Sequence, residues 1–349
     1  MSHFIQLHLL TVYPPSNLNR DDLGRPKTAI MGGVERLRIS SQSLKRAWRT
    51  SELFKDALDE WKGERTKLLG TDVFKQLTEN GVNEKSAAEW ASKIAAHFGK
   101  LKGKNALEIE QLAHIAPEEK QKVMALVDTL VSENRGPEED ELLFLCQRPK
   151  SVDIALFGRM LASSPNYNVE AAVQVAHAIT VNQVKIDDDF FTAVDDLNKH
   201  VEDSGSAHMG ELGFGSGVFY IYLCINKSLL IKNLNEDRSK DLELTNKTLA
   251  ALVECATKVA PTGKQNSFAS RAYTSYLLAE KGAQQPRTLS AAFLKPVRGE
   301  DHLALAIRAL ETQQENFDRV YGQCADASVK FNALTGEGKL EEIIRFVTE

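Results

Sequence analysis

The sequence predicts an α+β fold, a β-containing domain interrupted by a helical insertion, and three observations carry that expectation. The first residues, FIQLHLLTV (4–12), are almost all β-formers with an alternating apolar face. Residues 55–150 then follow a helical period, broken only by Gly, Asn and Pro. The β pattern returns at AAVQVAHAITVNQVKI (171–186) and GVFYIYLCINKSLL (217–230). One discontinuous domain explains that order better than two sequential ones. At 349 residues, 42% hydrophobic and 26% charged, the chain is long enough for a sizeable core and reads as globular and soluble.

In the opening strand Ile5, Leu7 and Leu9 share one face, and Pro14-Pro15 are expected to end it. A loop of Asn, Asp, Gly and Pro follows, then Gly32-Gly33 and a short extended piece over 34–39. Ser40 and Ser41 offer N-cap hydroxyls for a helix. The insertion contributes KSAAEWASKIAAHFGKLKG (85–103) and PEEKQKVMALVDTLVSEN (117–134), whose many charges read as a solvated outer face. In the returning β pattern Phe219, Ile221, Leu223 and Ile225 alternate with Tyr220 and Tyr222. Between the two β stretches lies FTAVDDLNKHVEDSGSAHMGELGFGSGVF (191–219), with five glycines, which reads as an extended hairpin or mobile arm. TNKTLAALVECATKVAP (245–261) carries a Thr or Asn N-cap, Leu249, Leu252, Val253 and Ala256 at helical spacing, and a Pro stop. Residues 301–321 and 338–347 are further helices.

The start of the chain has no cationic segment leading into an apolar run, and no membrane-spanning stretch follows, so a cytoplasmic location is expected. Cys146, Cys224, Cys255 and Cys324 are far apart and read as reduced, mostly buried thiols; neither a metal site nor a cofactor is indicated. Net charge is −5, yet Arg20–Arg49 holds eight Lys/Arg against three acids. The positive charge is concentrated.

RISSQSLKRAWR (38–49) is the centre of that concentration. Advancing about 100° per residue, Gln42, Lys45, Arg46 and Arg49 fall on one side of a helix, and Leu44, Ala47, Trp48 and Phe54 on the other. The apolar side should bury against the sheet. The free N–H groups at the helix start add partial positive charge where anions bind. Such a stripe suits successive phosphates of a nucleic-acid strand, although a solvated amphipathic helix has the same pattern. No acid within the helix neutralises it, and the preceding loop adds Asn19, Arg20 and Lys27.

NLNRDD (17–22), KTAIMGG (27–33) and RLRISSQSLKRAWR (36–49) resemble the amino-terminal signature of the CasC-type backbone subunit of the type I-E CRISPR Cascade complex. VDIALFGRM (152–160), AHAIT with FFTAVDDL and GSAHMG (176–210), and GKQNSFAS (263–270) are similar and follow in the same order; the helical lobe and the last 50 residues match poorly.

The resemblance implies a repeat-associated mysterious protein (RAMP) fold: a modified RNA-recognition-motif, ferredoxin-like palm (1–55 and 166–349), a helical fingers insertion (56–165) and a glycine-rich β-hairpin thumb at about 195–218. It implies copies stacked head to tail along a CRISPR RNA, other Cascade subunits as partners, a kinked guide and target DNA engaged through that guide. Carried over by position, Asn19, Arg20, Lys27, Arg38, Ser40, Gln42, Lys45, Arg46 and Arg49 hold the guide backbone. Arg159 and Met160 lie beside the kinked nucleotide, Lys264 and Gln265 add backbone contacts, and His208, Met209, Leu212 and Phe214 belong to the thumb arm.

Catalytic readings are weaker. IDDDFFTAVDD (186–196) clusters five aspartates, as a two-metal nuclease would need, but no His or Glu ligand motif joins them. His177 and His208 lack a neighbouring nucleophile. GKQNS is not a P-loop and GFGSG is not a dinucleotide fingerprint. The expectation is a non-catalytic RNA-binding subunit; the alternative is a RAMP-type endoribonuclease that processes CRISPR RNA.

Overall fold

The architecture is that of a computed structural model, which describes residues 3–103, 105–193, 208–235 and 242–349. The chain begins with strand β1 (Phe4–Ser16), a short hairpin β2 (Thr28–Met31) and β3 (Val34–Ile39), and helices α1 (Ser41–Arg49) and α2 (Glu52–Leu58). A second set follows: β4 (Glu64–Thr66), α3 (Leu69–Glu79), α4 (Glu84–Ala96), β5 (Leu101–Lys102), β6 (Asn105–Ile109), β7 (Ala113–Ile115) and α5 (Pro117–Glu133). Then come α6 (Val152–Phe157), β8 (Val173–Val175), β9 (Ala178–Thr180), β10 (Asp187–Ala193), the long β11 (His208–Asn226), α7 (Lys227–Asn233) and α8 (Glu243–Lys258). The chain closes with α9 (Gln265–Phe268), β12 (Thr274–Gly282), α10 (His302–Tyr321), β13 (Ala327–Asn332) and α11 (Leu340–Thr348).

Among the described residues nine strands form one antiparallel sheet, with the path β13-β12-β1-β11-β9-β3-β2 and β8 and β10 pairing with β11. Alternation along the central strands explains why both sheet faces are covered. Ile5, Leu7 and Leu9 of β1 and Ile221, Leu223 and Ile225 of β11 bury against Leu44 and Trp48 of α1, Phe54 of α2 and Leu249, Leu252 and Val253 of α8. The opposite face buries Leu10, Tyr220, Tyr276 and Leu278 under Phe293 and under Ala306, Ile307 and Leu310 of α10. A separate core joins Leu69, Val73, Leu77, Ala91, Ile94, Val123, Val127 and Leu130 of α3, α4 and α5.

Several local expectations change. β1 continues through Pro14-Pro15 to Ser16, because a register shift between Tyr13 and Ser16 takes up the exposed prolines, which have no N–H to give the ladder. The NKSLL end of the second β run is helical: the Asn226 side chain accepts from Leu229 N at 3.0 Å and caps α7. The helix expected to begin at Thr245 or Asn246 begins at Glu243, with Thr245 buried inside it. The helical stretch also carries two small two-stranded sheets, β4–β7 and β5–β6. Cys224 and Cys255 are buried, but Cys146 and Cys324 are only half-buried; all four are free thiols.

The second sheet face buries a polar network. His8 Nδ1 lies 2.8 Å from the Tyr220 hydroxyl and Nε2 lies 3.1 Å from Glu280 Oε2; Arg287 donates to both Glu280 oxygens at 2.6 and 2.9 Å. Burial alone raises the Glu280 carboxyl, but the hydrogen bonds from His8 and Arg287 outweigh it and pull it down to about 2. An ionised Glu280 only accepts, so His8 carries its proton on Nε2 and receives the Tyr220 O–H at Nδ1.

Burial holds both His8 and His114 below the usual histidine value. The sign of the linkage follows: as pH falls below about 6.5, the unfolded chain takes up protons at these two sites that the folded chain refuses. Their contribution is complete above pH 6.5 and is lost towards pH 5, by up to about 1.4 kcal/mol per histidine per pH unit. A thermal midpoint that drops between pH 7.5 and 5 is the expected result; a flat profile would contradict it.

Candidate nucleic-acid interface

Helix α1 starts where the sequence places it. Ser40 is extended (φ −68°, ψ 147°) and its hydroxyl accepts from Ser43 N at 3.3 Å. Asn19 Oδ1 in turn accepts from Ser40 N at 2.8 Å, while the Asn19 carbonyl accepts from Lys27 N and the Lys27 carbonyl from Arg38 N, each at 2.8 Å. The Asn19–Lys27 loop is thereby laced to the helix start and to β3. Asn19 and Ser40 use these atoms to build the site.

Leu44, Ala47 and Trp48 are buried, Gln42 and Arg46 are exposed, and Lys45 and Arg49 are half-buried. Phe54 is buried too, but from α2: the helix ends at Arg49 and Ser51 caps a new one. The absence of a neutralising acid holds within α1 but not in space, since Asp153 of α6 reaches Arg49 at 3.4 Å.

Three groups of side chains meet along α1. Around Arg46, a polar cavity of about 460 Å³ is lined by Arg20 and Arg46, by the acids Asp21 and Asp22, and by Thr262 and Gly263, joining the loop, the helix and the GKQNS segment. A side chain at Gly263 would place its Cβ 2.4 Å from the Leu18 carbonyl oxygen, so only glycine lets these two loops approach. Lys264, left-handed at φ 51°, is exposed beside it. Near Lys45, Arg38 donates to His177 Nδ1 at 2.9 Å; burial, Arg38, Lys27 and Lys45 together hold His177 below its usual value, which places these cations around one imidazole. At Arg49, Asp153 links the stripe to His114 and Arg65 of the small β4–β7 sheet.

Nothing local in the sequence singles out Arg65: it lies in a stretch whose charges read as a solvated outer face, and no local pattern reveals the cross-strand partner, His114, that brings it to α1.

Other residues depart from expectation. Arg159 is buried: it holds Glu119 at 2.7 Å and donates to the carbonyls of Cys146 at 2.8 Å and Tyr167 at 3.1 Å. Its guanidinium is therefore a core cross-link, whereas Met160 beside it is 78% exposed. Gln265 Nε2 braces its own loop through the Pro261 carbonyl at 2.9 Å, so its amide is not aimed outward. Arg36, counted in the cationic concentration, is wholly buried and donates to the Thr180 and Phe293 carbonyls at 2.8 and 3.0 Å.

The hairpin expected as an arm begins earlier than residue 195. Asp187–Ala193 pairs with Phe214 back to His208. Leu212 and Phe214 are half-buried, with the Phe214 ring 5.8 Å from that of Phe268. His208 and Met209 have strand backbone, their side chains lie outside the described residues, and so do residues 194–207. Asp188 pairs with Arg25 at 3.0 Å, and Asp195 and Asp196 fall outside the described residues. Among the described residues no three His, Cys, Asp or Glu side chains are placed to share a metal ion, and no helix is long and apolar enough to cross a membrane.

The family model of the CT1975-like proteins matches residues 5–344. The chain belongs to that family. The CT1975-like assignment agrees with the CasC-type resemblance of the sequence blocks. Among solved structures, this CT1975-like chain is similar to a chain of a "CRISPR RNA-guided surveillance complex, pre-nicking", with 28% identity and a TM-score of 0.82 over 99% of each chain. A chain of a "CRISPR RNA-guided surveillance complex" shares its fold, with 23% identity and a TM-score of 0.73 over 99% of each. No curated protein matches.

Proposed function

We propose that this chain is the RNA-binding backbone subunit of a type I-E CRISPR surveillance complex. The observation that carries the reading is the cationic face of α1, with Arg46 exposed and Lys45 and Arg49 half-buried, joined by the Asn19–Lys27 loop on one side and the Lys264 loop on the other. The likeness to a chain of an RNA-guided surveillance complex over the full length of both supports it.

In this reading the large sheet is the palm, the α3–α5 region with its small sheets the fingers, and the β10–β11 hairpin the base of the thumb. Copies stack head to tail on one CRISPR RNA, each holding phosphates and helping to kink the strand; the guide bases stay available to target DNA, and other Cascade subunits close the ends. Such heterologous contacts do not close on themselves, so the RNA sets the length of the filament. Modest contacts per copy add up because neighbours are tethered to the same strand. Contacts to phosphate carry no base information, so guide sequence matters little. The role is structural, without chemistry of its own.

Titrating the purified protein with labelled single-stranded RNAs of unrelated sequence tests this. Comparable affinities are expected, with log K falling against log salt by about 0.7 per neutralised phosphate. Failure to bind RNA would overturn the reading, and cleavage of repeat RNA would replace it with the endoribonuclease.

A further inference from the structure

Arg65 sits on β4 directly opposite His114 of β7. Its Nε donates to His114 Nδ1 at 3.3 Å, and His114 Nε2 lies 2.8 Å from Asp153 Oδ2. A guanidinium only donates and a carboxylate only accepts, so the imidazole is neutral with its proton on Nε2. Asp153 is saturated: Oδ1 accepts from Gly63 N and the Ser151 hydroxyl, each at 2.8 Å, and Oδ2 from His114 and, at 3.4 Å, Arg49. Its own burial raises the carboxyl, but these donors pull it down to about 2.

This leaves more positive charge than the local carboxylate can neutralise. Asp153 is the carboxylate that Arg49 and Arg65 share, and the adjacent Glu64 is engaged by Lys120 at 2.6 Å. Lys45 is held below its usual value by burial and by the charge of Arg65; Arg65 is held below its own by burial and by Arg49. Arg65 is the link between them: its charge acts on Lys45, and Arg49 acts on it. Arg65 is shielded on the side that faces His114 yet keeps an exposed surface, and its two terminal nitrogens have no partner among the described residues. A guanidinium anchored at Nε with its terminal pair free presents the fork that fits two oxygens of a phosphate.

We propose that Arg65, with Lys45 and Arg49, forms a phosphate clamp for single-stranded RNA at the junction between α1 and the β4–β7 sheet, with His114 and Asp153 as the positioning residues that aim it. The assignment rests on the RNA-binding reading above and adds to it a contact from the far side of the junction. The strand then crosses from the large sheet unit towards the helical one at this point. Gly63 is part of the device: a Cβ there would lie 2.8 Å from the Ile115 carbonyl oxygen and 3.0 Å from His114 Nε2, so glycine lets the backbone N–H reach Asp153.

The test is salt-dependent binding of a short oligouridine to the full chain. Arg65→Ala should weaken binding about five- to tenfold and flatten the log K against log salt slope by about 0.7, one phosphate's share. His114→Leu should reproduce that loss and add little in the Arg65→Ala background, whereas His114→Gln, which keeps one donor and one acceptor, should retain wild-type binding. Wild-type affinity and slope in Arg65→Ala, while Lys45→Ala/Arg46→Ala/Arg49→Ala loses binding, overturns the clamp and leaves the RNA reading standing. If the α1 variant also binds normally, α1 is not the interface and the clamp falls with it, whereas a wild-type chain that binds no oligouridine would overturn the RNA reading itself.

Discussion

Replacing Lys45, Arg46 and Arg49 together by alanine is expected to lower affinity for single-stranded RNA about a hundredfold, taking about 1 kcal/mol for each lost charged contact. The salt slope should fall by about 2, three phosphates' worth, and by the same amount for unrelated sequences. The fold should survive. The apolar side of the helix, Leu44, Ala47 and Trp48, is untouched, and Asp153 keeps His114, Gly63 and Ser151 when Arg49 is gone. Unchanged circular dichroism alongside weakened binding therefore separates a binding face from a structural one. Full affinity in the variant would remove α1 from the interface.

The reason α1 was legible from sequence is that everything defining it is local. Its cap, Ser40, lies within one turn, and its two faces follow from a 3.6-residue period. The strands of the sheet were legible for the same reason, since alternation in FIQLHLL and FYIYLCI needs no partner to be seen. Ends were harder. Pro14-Pro15 stop a central ladder but not one that shifts register, and Asn226 ends a strand only because its side chain turns to cap α7.

Charge was legible as a sum and not as a placement. Arg36 and Arg46 are chemically alike and ten residues apart, yet one is wholly buried beneath the Phe293 carbonyl and the other faces solvent. The difference is what lies over Arg36: the Thr180 and Phe293 carbonyls cap its guanidinium, whereas Arg38, two residues along the same face of β3, is only half-buried. Arg65 illustrates the converse: it belongs to a stretch that looks like an ordinary charged helical surface, and it reaches α1 only through a strand pairing across the 49 residues that separate it from His114. Pairings of that range leave no periodic trace in one sequence.

Arg159 is the residue whose role the structure alters most, and it carries the second large expected effect. Glu119→Gln should destabilise the helical unit by about 3–5 kcal/mol, because it strands a buried guanidinium without its counter-charge. Glu119 also accepts from Ala116 N at 2.9 Å and Cys146 N at 2.8 Å, so the carboxylate closes the start of α5 as well as the ion pair. Denaturant unfolding should show the loss as an earlier transition. Replacing both partners with apolar side chains, Glu119→Leu with Arg159→Met, should recover much of it, since neither buried charge then lacks a partner. Met160→Ala, at a side chain 78% exposed, should shift stability by no more than about 0.5 kcal/mol. Normal stability in Glu119→Gln would mean that the carbonyls of Cys146 and Tyr167 suffice for Arg159. The contrast assigns neighbouring residues opposite duties: through those two carbonyls Arg159 fixes the segment from within, and Met160 is the side chain that segment presents outside.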